Sequence, residues 1–272
     1  MKLLLDDSSQ KILKDPLEEF HIVQIYKDED HLANTVGLYL SSALFRNDAI
    51  LMIATNDHWK LFREKLHSAY PPIDLSEHEN RIRFLDAAET LRKIMRNGKP
   101  DWGLFNTLFS GIIQDLRSTD PSMKIMAYGE MVNLLWERGK TEAAVSLEEF
   151  WNDLFRTHPF SLFCAYSFSN IADEIAVNKI KGICKAHSHF IPSENHPHVA
   201  EATQNALHEI LGSEKNGILK KLLETDEHRS PLPDYLSTLF WLEKNMPRTA
   251  AAITSAAQRY LFSASNSLRL NS

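Results

Sequence analysis

Six polar residues close or follow short apolar runs, where side chains distant in sequence can converge on one rim. They are Tyr26, Thr55, His58, Asp86, Glu130 and Tyr166. Tyr26 ends His21-Ile-Val-Gln-Ile-Tyr26, and Thr55 ends Ala49-Ile-Leu-Met-Ile-Ala-Thr55, with His58 just beyond. Asp86 closes a run that starts at Arg81, Glu130 follows Gly129, and Tyr166 ends Phe160-Ser-Leu-Phe-Cys-Ala-Tyr166. A carboxylate such as Glu130 at the end of an apolar run can bind a polar ligand group or serve as a general base. Its plainer reading is an exposed or N-capping carboxylate at the next helix, favoured there by the helix dipole. Asp57-His58 likewise reads as a capped first turn. A buried Glu130 would need a raised pKa or a donor, and His58 and Tyr26 are the donors at hand.

Other constellations are weaker. Cys184, His187, His189, His196 and His198 lie within one short stretch, and zinc takes such ligands. However, His196 and His198 bracket a proline in a linker-like segment, so no metal is expected, and no cofactor either. His208-Glu209 sits in a helical pattern, as a phospho-accepting histidine does, and reads as a solvated helix pair. Cys164 lies in a buried-strand pattern, where a thiol acts as a small hydrophobe. Ala144, Leu147, Trp151, Leu154 and Phe155 form a helix stripe that reads as core.

These residues are carried by alternating elements. A strand pattern at 21–26 leads through Lys27-Asp28-Glu29-Asp30 into a helix reaching about Phe45. The apolar run 49–55 suits a strand buried on both faces, and Asn56 or Asp57 is the expected cap of the helix that runs toward Pro71. The alternation continues through 81–87, 88–95, 102–116, 124–131, 141–155 and 160–166. About five such alternations predict an α/β fold, a parallel sheet with helices on both faces. After Pro192 only helical periodicity remains, with Pro231, Pro233 and Pro247 at helix starts. The expected organisation is an α/β domain over 1–195 and an all-helical appendage over 196–272.

Length and composition bound the rest. The 272 residues are 43% hydrophobic and 24% charged, as in ordinary globular chains, with a net charge of −6. That balance argues against whole-surface binding to nucleic acid or anionic lipid. Two cysteines exclude a disulfide scaffold. The start, Met1 to Asp7, turns acidic before a signal-peptide core can form, and no apolar run is long enough to span a bilayer. A cytoplasmic location without membrane attachment is expected. The loop after the first strand has no glycine and carries Asp28, Glu29 and Asp30, where a phosphate would need N–H donors and a cation. A P-loop ATPase is therefore not expected.

Taken together, several segments resemble the MEDS family, the sensory domain of methanogen and methylotroph regulators, related to RecA/KaiC-like ATPases. They include 21–26, Ile53-Ala-Thr-Asn-Asp-His58, Phe84-Leu-Asp-Ala87 and Tyr128-Gly-Glu-Met131. Leu147-Glu148, Trp151-Asn152, 160–166, Ile183-Cys184 and His187 to Pro192 complete the set. The resemblance implies a RecA-like sheet without its phosphate loop. It also implies a sensory role and a small, hydrocarbon-derived ligand bounded by the six rim residues.

The expectation is thus a non-enzymatic signal-transduction protein that binds a small molecule and relays occupancy to a protein partner. A histidine kinase or a transcription regulator would fit that partner. The alternatives are a degenerate nucleotide-binding or hydrolytic enzyme using Glu130 with Asp86, and a ligand-free adaptor. DNA binding is not expected. Lys215, Lys220, Lys221, His228, Arg229, Lys244 and Arg248 make the tail locally basic, but acidic residues are interleaved. The tail holds few large apolar side chains for a core of its own, so docking or a homodimer is expected.

Overall fold

The computed structural model describes all residues except 1–4, 69–72, 119, 169–170, 226–231 and 270–272. Met1 to Leu4, Pro71, His228, Arg229 and Pro231 therefore lie outside the described residues. The chain divides into two compact units, residues 1–167 with 186–191 and residues 168–185 with 192–272.

The first unit begins with α1 (Asp7–Lys14), β1 (His21–Tyr26), α2 (Glu29–Arg46), β2 (Ala49–Ala54) and α3 (Asn56–His67). A 3-10 turn (Leu75–Arg81) precedes β3 (Ile82–Asp86) and α4 (Ala87–Ile94). A small hairpin, β4 (Met95–Arg96) and β5 (Lys99–Pro100), then leads to α5 (Trp102–Arg117) and β6 (Ile125–Gly129). Next come α6 (Met131–Glu137), α7 (Thr141–Phe155) and β7 (Ser161–Ser167); α8 (Val177–Ala186), which apart from its last residue belongs to the second unit, precedes β8 (His189–Ile191). Six strands form one sheet in the order β3-β2-β6-β7-β1-β8, and every described ladder in it is parallel.

The α/β reading holds. The chain steps from β1 to β2 to β3 in one direction and from β3 to β6 to β7 in the other. Right-handed crossovers then place the two sets of helices on opposite faces. Accordingly α2 packs on α1 and α3, whereas α4, α5, α6 and α7 pack among themselves. Alternation along each strand sorts the side chains: Ile22, Tyr26, Met52, Tyr128 and Phe163 join the α2–α3 core. The opposite face holds the fully buried Trp151, ringed by Phe105, Phe109 and Phe160.

Local chemistry explains the element ends. Asp28 caps α2 by accepting from Asp30 N–H, and α2 stops at Asn47, which takes the left-handed conformation with φ 62°. The cap of α3 is Thr55, one residue before the expected pair. The hairpin at Asn97-Gly98 carries too few residues to show an apolar period; both residues have positive φ, as a two-residue primed turn requires.

The second unit contains α9 (His196–Thr225), bent at Gly212, α10 (Asp234–Asn245) and α11 (Pro247–Arg269). The small-residue stripe of α11 (Ala250, Ile253, Ala256, Ala257, Leu261) is buried, and this helix packs along α9. Arg259 donates to Glu209 across that pair at 2.8 Å.

Candidate functional site

Strand β2 connects outward to β3, while its neighbour β6 connects the opposite way to β7. Connections that diverge from adjacent parallel strands leave a crevice at their carboxyl ends, the usual ligand position in such sheets. Thr55 and Glu130 follow those two strand ends.

Glu130 is only 2% exposed. It stands at the N-cap position of α6, yet its side chain makes no cap hydrogen bond. Its carboxylate turns across the crevice instead. Oε2 accepts from Thr55 N–H at 2.8 Å, and Oε1 accepts from the Tyr128 hydroxyl at 3.0 Å. His58 Nδ1 meets the same Oε1 at 2.5 Å. The simple capping reading of Glu130 therefore gives way to a carboxylate held by three groups from two neighbouring strand ends.

His58 is placed by the cap that starts α3, because Thr55 Oγ1 accepts the His58 N–H at 3.3 Å. Its ring stacks on Phe62 and meets Tyr26 edge-on, with ring centres 6.3 Å apart. Glu29 stands 3.9 Å from Nε2. Burial disfavours the charged ring, but the hydrogen bond and charge of Glu130 outweigh it, and His58 titrates above its usual value. Burial and the Glu130 charge push the Tyr26 hydroxyl upward as well. The crevice thus brings together a buried carboxyl group, an imidazole whose charged form Glu130 favours, and two phenols whose ionisation is disfavoured. Such a set can orient a polar group of a small ligand or pass a proton to it.

Asp86 and Tyr166 behave differently from the other four rim residues. Asp86 caps α4 by accepting from Glu89 N–H at 2.7 Å, and it also accepts from Asn56 at 2.9 Å. The Tyr166 hydroxyl donates to Glu148, not to Glu130, at 2.6 Å. Strand parity is the reason: Phe163 and Ala165 face the α2–α3 core, so Cys164 and Tyr166 face α7.

On that opposite face lies a second polar cluster, whose members come from elements that no single apolar period connects. His21 Nε2 is 3.1 Å from Glu148 Oε2, and His187 Nε2 is 3.4 Å from Glu148 Oε1. Cys164 Sγ is 3.5 Å from His21 Nε2 and 3.6 Å from Glu148 Oε2. Burial opposes the charge on Glu148, yet His187 and His21 hold its pKa down at about 2. One signal was legible beforehand: Glu148 is a carboxylate on the helix face that carries Ala144, Leu147, Trp151 and Phe155. His187 joins this cluster, not the stretch of cysteine and histidines running to His198.

The helical unit has a cavity of about 890 Å³, lined by Thr203, Leu207, Leu219, Tyr235, Phe240 and Trp241 among others. The charged groups at its edge, Glu201, Lys220 and Asp234, are exposed, and the buried Thr203 donates its hydroxyl to the Val199 carbonyl at 2.8 Å.

Residues 20–187 match the family model described as MEDS: MEthanogen/methylotroph, DcmR Sensory domain. No curated protein matches the chain.

Proposed function

The chain belongs to the MEDS family, and from that membership we propose that it is a non-enzymatic sensor of a small organic molecule. The ligand lies over the carboxyl ends of β2 and β6 and places a polar group against His58 and Glu130. The observation that carries this reading is the buried Glu130 carboxylate reaching across the crevice to Thr55 N–H and His58. A strand-end carboxylate kept for solubility would point to water. Here His58, with a side chain 13% exposed, is the group through which the buried charge meets an incoming molecule.

Occupancy is relayed through the helical unit to a protein partner, such as a histidine kinase or a transcription regulator. Ile218, Leu222 and Phe262 are large exposed apolar side chains on that unit and suit such a contact. No described helix is long and apolar enough to cross a membrane.

Thermal-shift screening of the full chain against short-chain organic compounds and against nucleotides tests this reading. A compound that stabilises the wild type and leaves Glu130→Gln unmoved supports it. The second reading, an acid–base enzyme, draws on the same His58–Glu130 pair. Hydrolysis of a nucleotide that disappears in Glu130→Gln would establish it instead.

A further inference from the structure

We propose that His21, Glu148, Cys164 and His187 form a closed binding site for a divalent zinc-class metal ion. The four ligand atoms lie within 4.8 Å of one another. The three separations among His21 Nε2, Glu148 Oε2 and Cys164 Sγ run from 3.1 to 3.6 Å, and His187 Nε2 lies 3.4 Å from the other Glu148 oxygen. An ion bonded tetrahedrally at about 2.0–2.1 Å to nitrogen and oxygen and about 2.3 Å to sulfur sets its ligands about 3.3–3.7 Å apart. Three of the four ligand atoms therefore already stand at the edge lengths of a coordination tetrahedron, with the His187 nitrogen within 4.8 Å of each.

The surroundings orient the ligands in the way metal sites require. Asn152 donates from Nδ2 to the Ala186 carbonyl at 2.9 Å, which turns its Oδ1 toward His21. That oxygen lies 3.0 Å from His21 Nδ1 and accepts its proton, which leaves Nε2 as the nitrogen that would coordinate an ion. Partners of this kind fix the tautomer of metal-bound histidines. The Tyr166 hydroxyl, at 2.6 Å, satisfies the second Glu148 oxygen.

Charge and softness agree. One thiolate and one carboxylate neutralise a divalent ion, and two neutral imidazoles complete it, giving a centre without net charge. That suits four side chains of which none is more than 7% exposed. Binding releases to solvent the thiol proton of Cys164 and the His21 Nε2 proton that is hydrogen-bonded to Glu148, as the metal–sulfur and metal–nitrogen bonds form. A thiolate with imidazoles favours zinc, cobalt or ferrous iron over magnesium or calcium. Four protein ligands leave no open position for water, so the ion ties elements together and does no catalysis. It would join β1, α7, β7 and the α8–β8 connection. This site is separate from the crevice at Glu130 and does not depend on the sensory reading.

The test uses the full chain stripped of metal by chelator and titrated with cobalt(II), then zinc. The expected result is one equivalent of cobalt with tetrahedral visible absorption and a near-ultraviolet thiolate band, displaced by zinc. Cys164→Ser should lose the thiolate band, and Asn152→Ala should weaken binding about 10- to 100-fold. If Cys164→Ser does not fold, alkylation of the wild type decides. Zinc should slow modification of Cys164 and leave Cys184 unchanged. Absence of bound cobalt, a thiolate band that survives in Cys164→Ser, or equal alkylation of Cys164 with and without zinc would overturn the proposal. The four residues would then be a buried ion-pair network alone.

Discussion

His58 Nδ1 lies 2.5 Å from Glu130 Oε1, joining the first turn of α3 to the residue that follows β6. Because the charged Glu130 raises the pKa of His58, the protonated ring is favoured in the folded state. Its contribution to stability is fully present below the unfolded histidine value of about 6.5 and is lost as pH rises through the higher folded value. The melting-temperature gap between wild type and His58→Gln should be widest near pH 6 and shrink toward alkaline pH. A gap that grows with pH would contradict the pairing.

Asp86 has a structural duty in the first turn of α4. Asp86→Ala should cost about 1 kcal/mol through the lost cap, read by denaturant unfolding, while ligand-induced stabilisation persists. Loss of the ligand response without loss of stability would place Asp86 in the binding machinery.

The N-terminus of α2, where a P-loop protein would hold phosphate, is occupied by its own cap. Asp28 accepts Asp30 N–H at 2.8 Å, and Glu29 lies in the same turn. ATP should therefore show no useful affinity, since phosphate needs free N–H groups and a lysine. Micromolar binding in a calorimetric titration would refute this.

Much of this was legible in the sequence. The apolar runs at 21–26 and 49–54 are fully buried strands because both of their faces are covered. Tyr26, Thr55, His58 and Glu130 meet near one strand-end crevice, since parallel strands end on one side. What periodicity could not supply was parity across strands: Tyr26 ends β1 and Tyr166 lies one residue before the end of β7, yet they face opposite sides of the sheet. Nor could it bring together His21, Glu148, Cys164 and His187, which belong to separate elements. The short strand at 189–191 was hard to see because three residues carry no period, and its pairing with β1 decides it.

Ala257 is fully buried on α11, which packs along α9 of the same chain. Ala257→Leu should cost about 1–3 kcal/mol by overpacking, seen as a lower melting temperature at unchanged solution mass. A change of mass without loss of stability would instead make this stripe a contact between two copies of the chain.

The central claim concerns the crevice between β2 and β6. It is tested most directly by an electron-density map of the full chain crystallised with whichever compound stabilises it most. The account expects density over the carboxyl ends of these strands, with a polar atom within hydrogen-bond distance of His58 or Glu130. Density confined to the helical unit, with the His58–Glu130 contact untouched, would contradict it.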